Sequence, residues 1–174
     1  MNIESKSFIY ENNVLFNADK TIIIAYRADD KSYNVPDTVT SIGNSAFPMC
    51  DSLTSINIPD SVITMEGNPF AGWHGSLSIE SKSFIYENQV LFNADKTIII
   101  AYRADDELYN IPNTVTNIGK QSFRAVLFTL IYISTFVPNL NFGQDEHKRR
   151  RQVLCLNGSQ IPNRVQEQEP SRVL

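Results

Sequence analysis

The sequence predicts a β-rich solenoid, a fold in which short parallel strands stack along one axis. The main observation is an internal duplication: residues 3–47 return as residues 79–123, and only nine of the 45 aligned positions differ. The second observation is a shorter period, because the order Val or Ile, Pro, Asp or Asn, Ser or Thr, Val starts at residues 35, 58 and 111. A repeat of fixed length indicates a chain of similar units, each packed on its neighbours.

The shorter unit contains the strand of each coil. It spans 23 residues from Val35 to Ile58, a length that is typical of repeats contributing one strand each. Apolar residues at 53, 56 and 58 combine the spacing of a turn with the period of two found in strands. We therefore expect one short strand per coil, parallel to the strands of the neighbouring coils.

A glycine and a phenylalanine mark the turn of each unit. Gly43 and Gly119 stand where we expect the chain to enter a short helical segment, since glycine tolerates a positive φ and allows close approach of backbones. Phe47, Phe70 and Phe123 are expected to point inward as a stacked aromatic row. Each buried ring contributes about 1.5–3 kcal/mol, so this row should be a main source of stability.

Each duplicated segment also contains a predicted β-hairpin. Apolar runs at residues 14–16 and 22–26 flank a polar turn at residues 17–20, and the same pattern returns 76 residues later. We expect these hairpins to act as spacers that protrude from the solenoid sheet or extend it.

The segment VPDTVTSIGNSAFPMCDSLTSINIP, residues 35–59, resembles the BspA-like, or Treponema-type, leucine-rich repeats of bacterial and protozoan surface proteins. The resemblance covers residues 1–123, and the spacer FIYENQVLFNADKTIIIAYRADDELYNIP also looks like a spacer of that family. The unit at residues 58–77 departs from the pattern, because Met-Glu-Gly replaces Ile-Gly at residues 65–67.

This resemblance implies a right-handed leucine-rich-repeat solenoid of β-rich α/β class. It implies one parallel strand per coil, short helical or 3-10 segments and β-hairpin spacers over residues 1–123. The structural repeat positions that it assigns are Ile42, Gly43, Phe47, Cys50, Leu53, Ile56, Ile58, Phe70, Ile118, Gly119 and Phe123.

The pattern changes after residue 123, and three interpretations stay open. Residues 124–142 form either a degenerate last repeat, with Phe128, Ile131 and Ile133 as its strand, or an apolar segment that spans a membrane over residues 125–140. In the third interpretation the sequence there has no folded role. Residues 143–174 are polar and poor in aromatics, so we expect a disordered tail. Membrane association is left open.

Charge and residue spacing argue against several functions. Residues 1–123 carry 8 basic and 15 acidic side chains, so we expect no nucleic-acid binding. The histidines, His74 and His147, have no Cys or carboxylate at metal-ligand spacing. No glycine-rich phosphate loop or catalytic triad pattern is present either. We therefore expect no catalytic residues, no cofactor and no metal, and interpret Cys50 as a buried structural position.

The remaining candidates for function are tyrosines that recur at the same offset. We expect them to form ladders for protein or glycan recognition, although packing against the hairpins is an equal alternative. They are Tyr10, Tyr26, Tyr33, Tyr86, Tyr102 and Tyr109.

The family resemblance implies a non-enzymatic adhesion module of a cell-surface protein, with host or extracellular-matrix proteins or other cells as partners. The alternative is an intracellular scaffold for protein–protein interaction. The first residues lack the pattern of a secretory signal, so a cytoplasmic location stays open beside the cell surface or extracellular space.

Overall fold

The computed structural model describes residues 7–48, 50–104 and 108–123, together with the backbone of three short strands beyond them. The strands are β1 (Phe8–Glu11), β2 (Val14–Asn17), β3 (Ile22–Tyr26), β4 (Ser32–Asn34), β5 (Ser41–Ile42), β6 (Ser55–Ile58), β7 (Thr64–Met65), β8 (Ser76–Ile79), β9 (Phe84–Glu87), β10 (Val90–Asn93), β11 (Ile98–Tyr102), β12 (Leu108–Asn110), β13 (Asn117–Ile118), β14 (Leu130–Tyr132), β15 (Asn141–Phe142) and β16 (Val153–Leu154). The expected short helical segments are not found in this described part, where hydrogen-bonded turns take their place.

Each spacer is an antiparallel meander, which contains the predicted hairpin and one more strand. In the first copy β1 pairs with β2 and β2 with β3, and β9, β10 and β11 repeat this arrangement. The β2–β3 turn is closed by Asn17, whose Oδ1 accepts hydrogen bonds from the backbone N–H of Thr21 at 2.8 Å and of Ile22 at 2.9 Å. This side-chain cap explains why an asparagine begins the turn.

The coils follow each spacer and stack in parallel. One sheet has the order β1-β2-β3-β5-β7, so the spacer extends the sheet, and a second sheet has the order β4-β6-β8. In the second sheet Tyr33 lies opposite Ile56, and Ile56 lies opposite Leu77. The second copy repeats both sheets as β9-β10-β11-β13-β15 and β12-β14-β16. The architecture is the predicted solenoid, in which each coil contributes one short strand to each of the two sheets rather than a single strand.

The backbone beyond residue 123 continues the same stacking. β14 pairs in parallel with β12 and places Ile131 opposite Tyr109, as Ile56 lies opposite Tyr33 in the first copy. The choice among the three interpretations of residues 124–142 stays a prediction. β16 pairs in parallel with β14, and the expectation of a disordered tail over residues 143–174 stays a prediction.

The rest of residues 124–174, with most of the proposed membrane span at 125–140, lies outside the described residues. Within the part of the chain that is described, no helix is long and apolar enough to cross a membrane.

The buried side chains form two apolar clusters. The first joins the first spacer and its coils to one face of the second spacer, which contributes Phe84, Leu91, Ile100 and Ala101. The second cluster contains the residues on the opposite face of that spacer and the apolar residues of the coil that follows it. Most repeat positions are buried in these two clusters, namely Ile42, Phe47, Leu53, Ile56, Ile58, Phe70, Ile118 and Phe123, and Cys50 is half-buried against the first.

The aromatic row is built in two segments. The Phe47 and Phe70 rings stack with centroids 5.8 Å apart, and the Tyr102 and Phe123 rings stack at 5.1 Å. The guanidinium of Arg103 lies 5.8 Å from the centroid of Phe70. An arginine therefore adjoins the first aromatic segment at the junction between the copies.

The turn glycines are needed for space and have no positive φ. A Cβ on Gly43 would lie 3.1 Å from the carbonyl oxygen of Ile23, and one on Gly119 would lie 2.9 Å from that of Ile99. The left-handed conformation falls two residues later, at Ser45 with φ 54° and at Gln121 with φ 59°. The expectation of close approach was right, whereas the expectation of positive φ was wrong.

Candidate binding surface

The outer face of the sheet β4-β6-β8 is a regular array of small polar side chains. Ser32, Ser55 and Ser76 lie opposite one another across the three strands. The next outward positions are filled by Asn34, Asn57 and Ser78 in the same register. We call these six residues the serine–asparagine face.

Strand periodicity explains why this face is polar. Successive side chains of a strand point to opposite sides of the sheet, so the residues between the polar positions point to the core. Ile56 is buried, and Tyr33 and Leu77 pack against the same cluster. The outer positions are exposed on the two outer strands and half-buried on the central strand β6.

Neighbouring turns hold the strands in place. Backbone N–H groups of Thr54 and Ser55 donate to the carbonyl of Lys31, and that of Ser76 donates to the carbonyl of Thr54. The Trp73 indole N–H donates to the carbonyl of Leu53 at 2.6 Å and fixes the start of β6 from below. The face is therefore carried by a backbone whose own polar groups are paired, which makes it rigid.

The chemistry of this face is hydrogen bonding without ionisable groups. Serine hydroxyls and asparagine amides both donate and accept. The Asn57 amide nitrogen donates to Glu80 Oε1 at 3.1 Å, and its Oδ1 is buried without a partner among the described residues. Such groups can orient a bound molecule, but they contain no nucleophile with an adjacent base.

A cavity of about 520 Å³ lies at the side of the first copy and is lined by Tyr26, Arg27, Asp29, Cys50 and Asp51 among others. Burial raises the pKa of the Cys50 thiol, although the charge of Arg27 acts in the opposite direction. A raised pKa keeps the thiol protonated, and a protonated thiol is a weak nucleophile. The cavity wall therefore offers no activated cysteine.

The recurring tyrosines do not form one exposed ladder. Tyr26 and Tyr102 are fully buried, so the prediction that these two residues line a binding surface is wrong. Tyr33 and Tyr109 are half-buried, with ring centroids 4.7 Å and 4.6 Å from those of Tyr26 and Tyr102. Each buried ring completes a core that the spacer shares with its coil, and the aromatic neighbour covers it.

The two remaining tyrosines lie on the spacers and face different surroundings. Tyr10 donates its hydroxyl hydrogen to Asn13 Oδ1 at 3.2 Å, in an exposed position. Tyr86 accepts a hydrogen bond from the Arg103 guanidinium at 3.0 Å. A binding role for Tyr10, Tyr33, Tyr86 or Tyr109 stays a prediction.

Burial also changes the acidity of the half-exposed Tyr33. Loss of solvent, followed by the negative charge of Asp30, raises the pKa of Tyr33 to about 12. The neighbouring Tyr26, which donates to Asp30 at 3.2 Å, has a raised pKa for the same reasons. Both phenols stay neutral at physiological pH and belong to the packing of the coil.

The serine–asparagine face was missed when the sequence was analysed. Its signal is the set of polar residues that alternate with the core residues of the strands, in register at intervals of 23 and then 21 residues. They stand in the segments S-Y-N, S-I-N-I and S-L-S-I. The sequence-based prediction used only the apolar positions of the repeat and not the polar positions between them.

Stacked parallel strands, a shared apolar turn and a repeated polar outer face make this chain a β-solenoid repeat protein. The chain belongs to the BspA type leucine rich repeat region family, whose model matches residues 26–134 in six copies. Comparison with curated proteins finds no match.

Two solved structures are similar to this chain. A leucine rich cell surface protein from Faecalibacterium prausnitzii A2-165 is 25% identical, with a TM-score of 0.50, over 62% of this chain and 30% of that chain. The pneumococcal vaccine antigen PcpA is 22% identical, with a TM-score of 0.52, over 68% of this chain and 37% of that chain. The present chain thus matches about a third of the length of each.

Proposed function

We propose that this chain is a non-enzymatic protein-binding module that serves adhesion at a cell surface, with host or extracellular-matrix proteins or other cells as partners. The observation that carries the proposal is the serine–asparagine face, a rigid sheet surface of hydrogen-bonding groups in fixed register. Serine and asparagine are adaptable hydrogen-bonding residues in protein-binding surfaces, and a rigid scaffold lowers the entropy lost on binding.

The composition of the face indicates which kind of binding to expect. It contains no charged side chain, so the partner is held by hydrogen bonds and shape. We therefore expect binding that changes little with ionic strength, in contrast to the capture of polyanions by basic proteins. The similarity to a bacterial cell-surface protein supports an outside location.

The proposal is tested by adhesion of cells that display the full native protein. Ser55→Arg places a long charged side chain at the centre of the face, whose serine is half-buried. We expect attachment to immobilised basement-membrane extract to fall to that of cells without the protein. Thr64→Arg on β7 is the matched control, because Thr64 is exposed in the other sheet, and it should leave attachment unchanged.

Two results would contradict adhesion through this face. One is equal attachment with Ser55→Arg and Thr64→Arg, which would place the binding elsewhere. The other is complete protection of the repeat when intact cells are treated with protease. That second result would leave the intracellular scaffold as the function.

A further inference from the structure

A cavity of about 350 Å³ lies between the first spacer and the coil that follows it. Its volume falls within the range of small-molecule sites, about 300–1,000 Å³. Val14 and Phe16 of β2 and Tyr33 of β4 line its apolar part, and the two β2 residues are buried. The polar part is lined by Glu11, Asn12, Lys20 and Thr38. We call this cavity the spacer pocket.

The walls of the spacer pocket are held in place by the fold. The Tyr33 ring packs on Tyr26 with centroids 4.7 Å apart and on Phe47 with centroids 6.0 Å apart. Asn12 and Asn13 have φ values of 49° and 60°, as a tight two-residue hairpin turn requires. The pocket is therefore pre-formed, and little conformational entropy is lost when a ligand binds in it.

The second copy repeats the lining of this pocket with a coil in front of the spacer. The strand sequences VLFN and IIIAY of β2 and β3 return in β10 and β11. Lys96 pairs with Glu87 as Lys20 pairs with Glu11. The exposed fractions of the lysine and glutamate side chains are 42% and 50% in the first copy and 35% and 44% in the second. A preceding coil thus leaves these groups open to solvent, and we expect the same site in both copies.

The chemistry of the spacer pocket combines an aromatic wall with hydrogen-bonding groups and no net charge. The carboxylate of Glu11 is balanced by the ammonium of Lys20. The side chains of Asn12 and Thr38 are exposed, so their donors and acceptors can meet a ligand. A pyranose sugar matches this combination, because one face of C–H groups packs on an aromatic ring while hydroxyls at its edge both donate and accept hydrogen bonds.

We propose that the spacer pocket binds a neutral sugar unit of a glycan, packed against Tyr33 and hydrogen-bonded to Glu11 and Asn12. An apolar side chain of a protein partner would fill the same space but leave the polar groups of the wall without partners, which costs free energy. Two such sites on one chain hold closely spaced glycans more tightly than a single free glycan. The inference does not rest on the serine–asparagine face.

The first experiment asks which class of glycan is bound. The labelled full chain is applied to an array of neutral and sialylated glycans. We expect binding to neutral glycans, and no gain from sialic acid, because the lining has no uncompensated positive charge. The neutral glycan with the strongest signal is then titrated into the full chain by calorimetry, where we expect two equivalent sites per chain.

Variants of the equivalent glutamates separate the two sites. Glu11→Ala should leave one site with its original affinity, because the second site keeps Glu87. Glu11→Ala combined with Glu87→Ala should weaken both sites about tenfold or more, since each loses a hydrogen bond to a charged group. Glu66→Ala is the matched control, because it removes an exposed carboxylate outside the pocket, and it should keep two sites.

A second variant of the first site removes a neutral group without straining the backbone. Glycine accepts the positive φ of position 12, so Asn12→Gly deletes only the amide side chain. We expect binding at the first site to weaken about fivefold, as the loss of one neutral hydrogen bond predicts. Unchanged binding by this variant and by Glu11→Ala would overturn the inference.

Other outcomes also contradict a neutral sugar site. Absence of binding to every neutral glycan of the array would overturn the inference, and so would a preference for sialylated glycans. Equal weakening by Glu66→Ala and Glu11→Ala would do the same. A protein occupant is tested with cells that display the full native protein, on matrix extract from which glycosidases have removed the glycans. Loss of attachment by the double glutamate variant there would show that the pocket takes a protein side chain instead.

Discussion

The two copies of the spacer differ far more in surroundings than in sequence. Nine positions differ between residues 3–47 and residues 79–123, and none of them lies in the strand sequences VLFN and IIIAY. Among the described residues, the second copy nevertheless buries both faces of its sheet, whereas the first buries one. Identical side chains therefore contribute to two apolar clusters in one copy and to a single cluster in the other. A neighbouring coil, rather than the local sequence, decides the contribution of a residue to stability.

The largest difference is expected at the central leucine of the spacer. Leu91 is fully buried, and Leu91→Ala should lower the free energy of unfolding by about 4 kcal/mol through lost burial and a residual cavity. Leu15→Ala, at a half-buried site, should cost about 1 kcal/mol or less. Urea unfolding followed by tryptophan fluorescence measures both values, and similar losses would contradict the environments described for the two copies.

The next difference concerns the paired arginines. Arg103→Ala removes contacts with the rings of Trp73 and Tyr86 and a hydrogen bond to Gly75, so a loss of about 3 kcal/mol is expected. Arg27→Ala should change stability by less than about 0.5 kcal/mol, since its side chain is exposed. The comparison breaks down if Arg27→Ala is the more damaging change in the same unfolding experiment.

A smaller difference is expected at the turn glycines. Gly119→Ala brings a methyl group to 2.9 Å from the Ile99 carbonyl, closer than Cβ atoms are found, so backbone must move. Gly43→Ala meets the Ile23 carbonyl at 3.1 Å, where a smaller shift suffices. We expect losses of about 2 and about 1 kcal/mol, because overpacking costs about 1–3 kcal/mol. Thermal unfolding should rank the variants in that order, and the reverse order would show that the second turn is the more adaptable.

The smallest effect is a pH dependence within the first copy. Burial and Asp30 raise the pKa of Tyr33 from its ordinary value of 10.0 to about 12. The folded chain then holds the phenolic proton more firmly than the unfolded chain, so stability is kept below pH 10 and falls as the pH rises toward 12. Tyr33→Phe should flatten this fall by about 1 kcal/mol or less, given partial exposure. Chemical unfolding across that pH range measures the slope, and an unchanged slope would refute this role for Tyr33.

The repeat made most of the fold predictable from the sequence. Its period placed a turn and a short strand at Leu53, Ile56 and Ile58. The structure has β6 from Ser55 to Ile58 directly after the turn at Leu53, with Ile56 and Ile58 buried. The spacer hairpin followed from two apolar runs around a polar turn, and β2 and β3 pair as expected. Periodicity works for these elements because backbone geometry fixes which side chains share a face.

The candidate surface was less predictable, because composition does not report which copy has a neighbour. Tyr26 and Tyr102 are buried in both copies, because rings of the coil that follows each spacer, such as Phe47 and Tyr33 around Tyr26, enclose them. Arg27 and Arg103 stand in the same five-residue context, AYRAD, and only the coil at Trp73 separates their roles. The polar outer positions of β4, β6 and β8 could have been predicted from their alternation with apolar residues. The different burial of the two arginines could not have been predicted, because their sequence contexts are the same.

The two-sided burial of the second spacer also bears on how such an array changes its length. One face of the second spacer packs on the coil that precedes it, and the other face packs on the coil that follows it. Each 76-residue repeat therefore contains both surfaces needed to pack on another repeat. Unequal recombination between the near-identical copies would add or delete whole repeats and join surfaces that already match. A crossover out of phase would instead leave a coil beside a spacer in the wrong register, with apolar rings in water. The number of repeats can therefore change by whole 76-residue units, whereas the gain or loss of part of a unit would destabilise the protein.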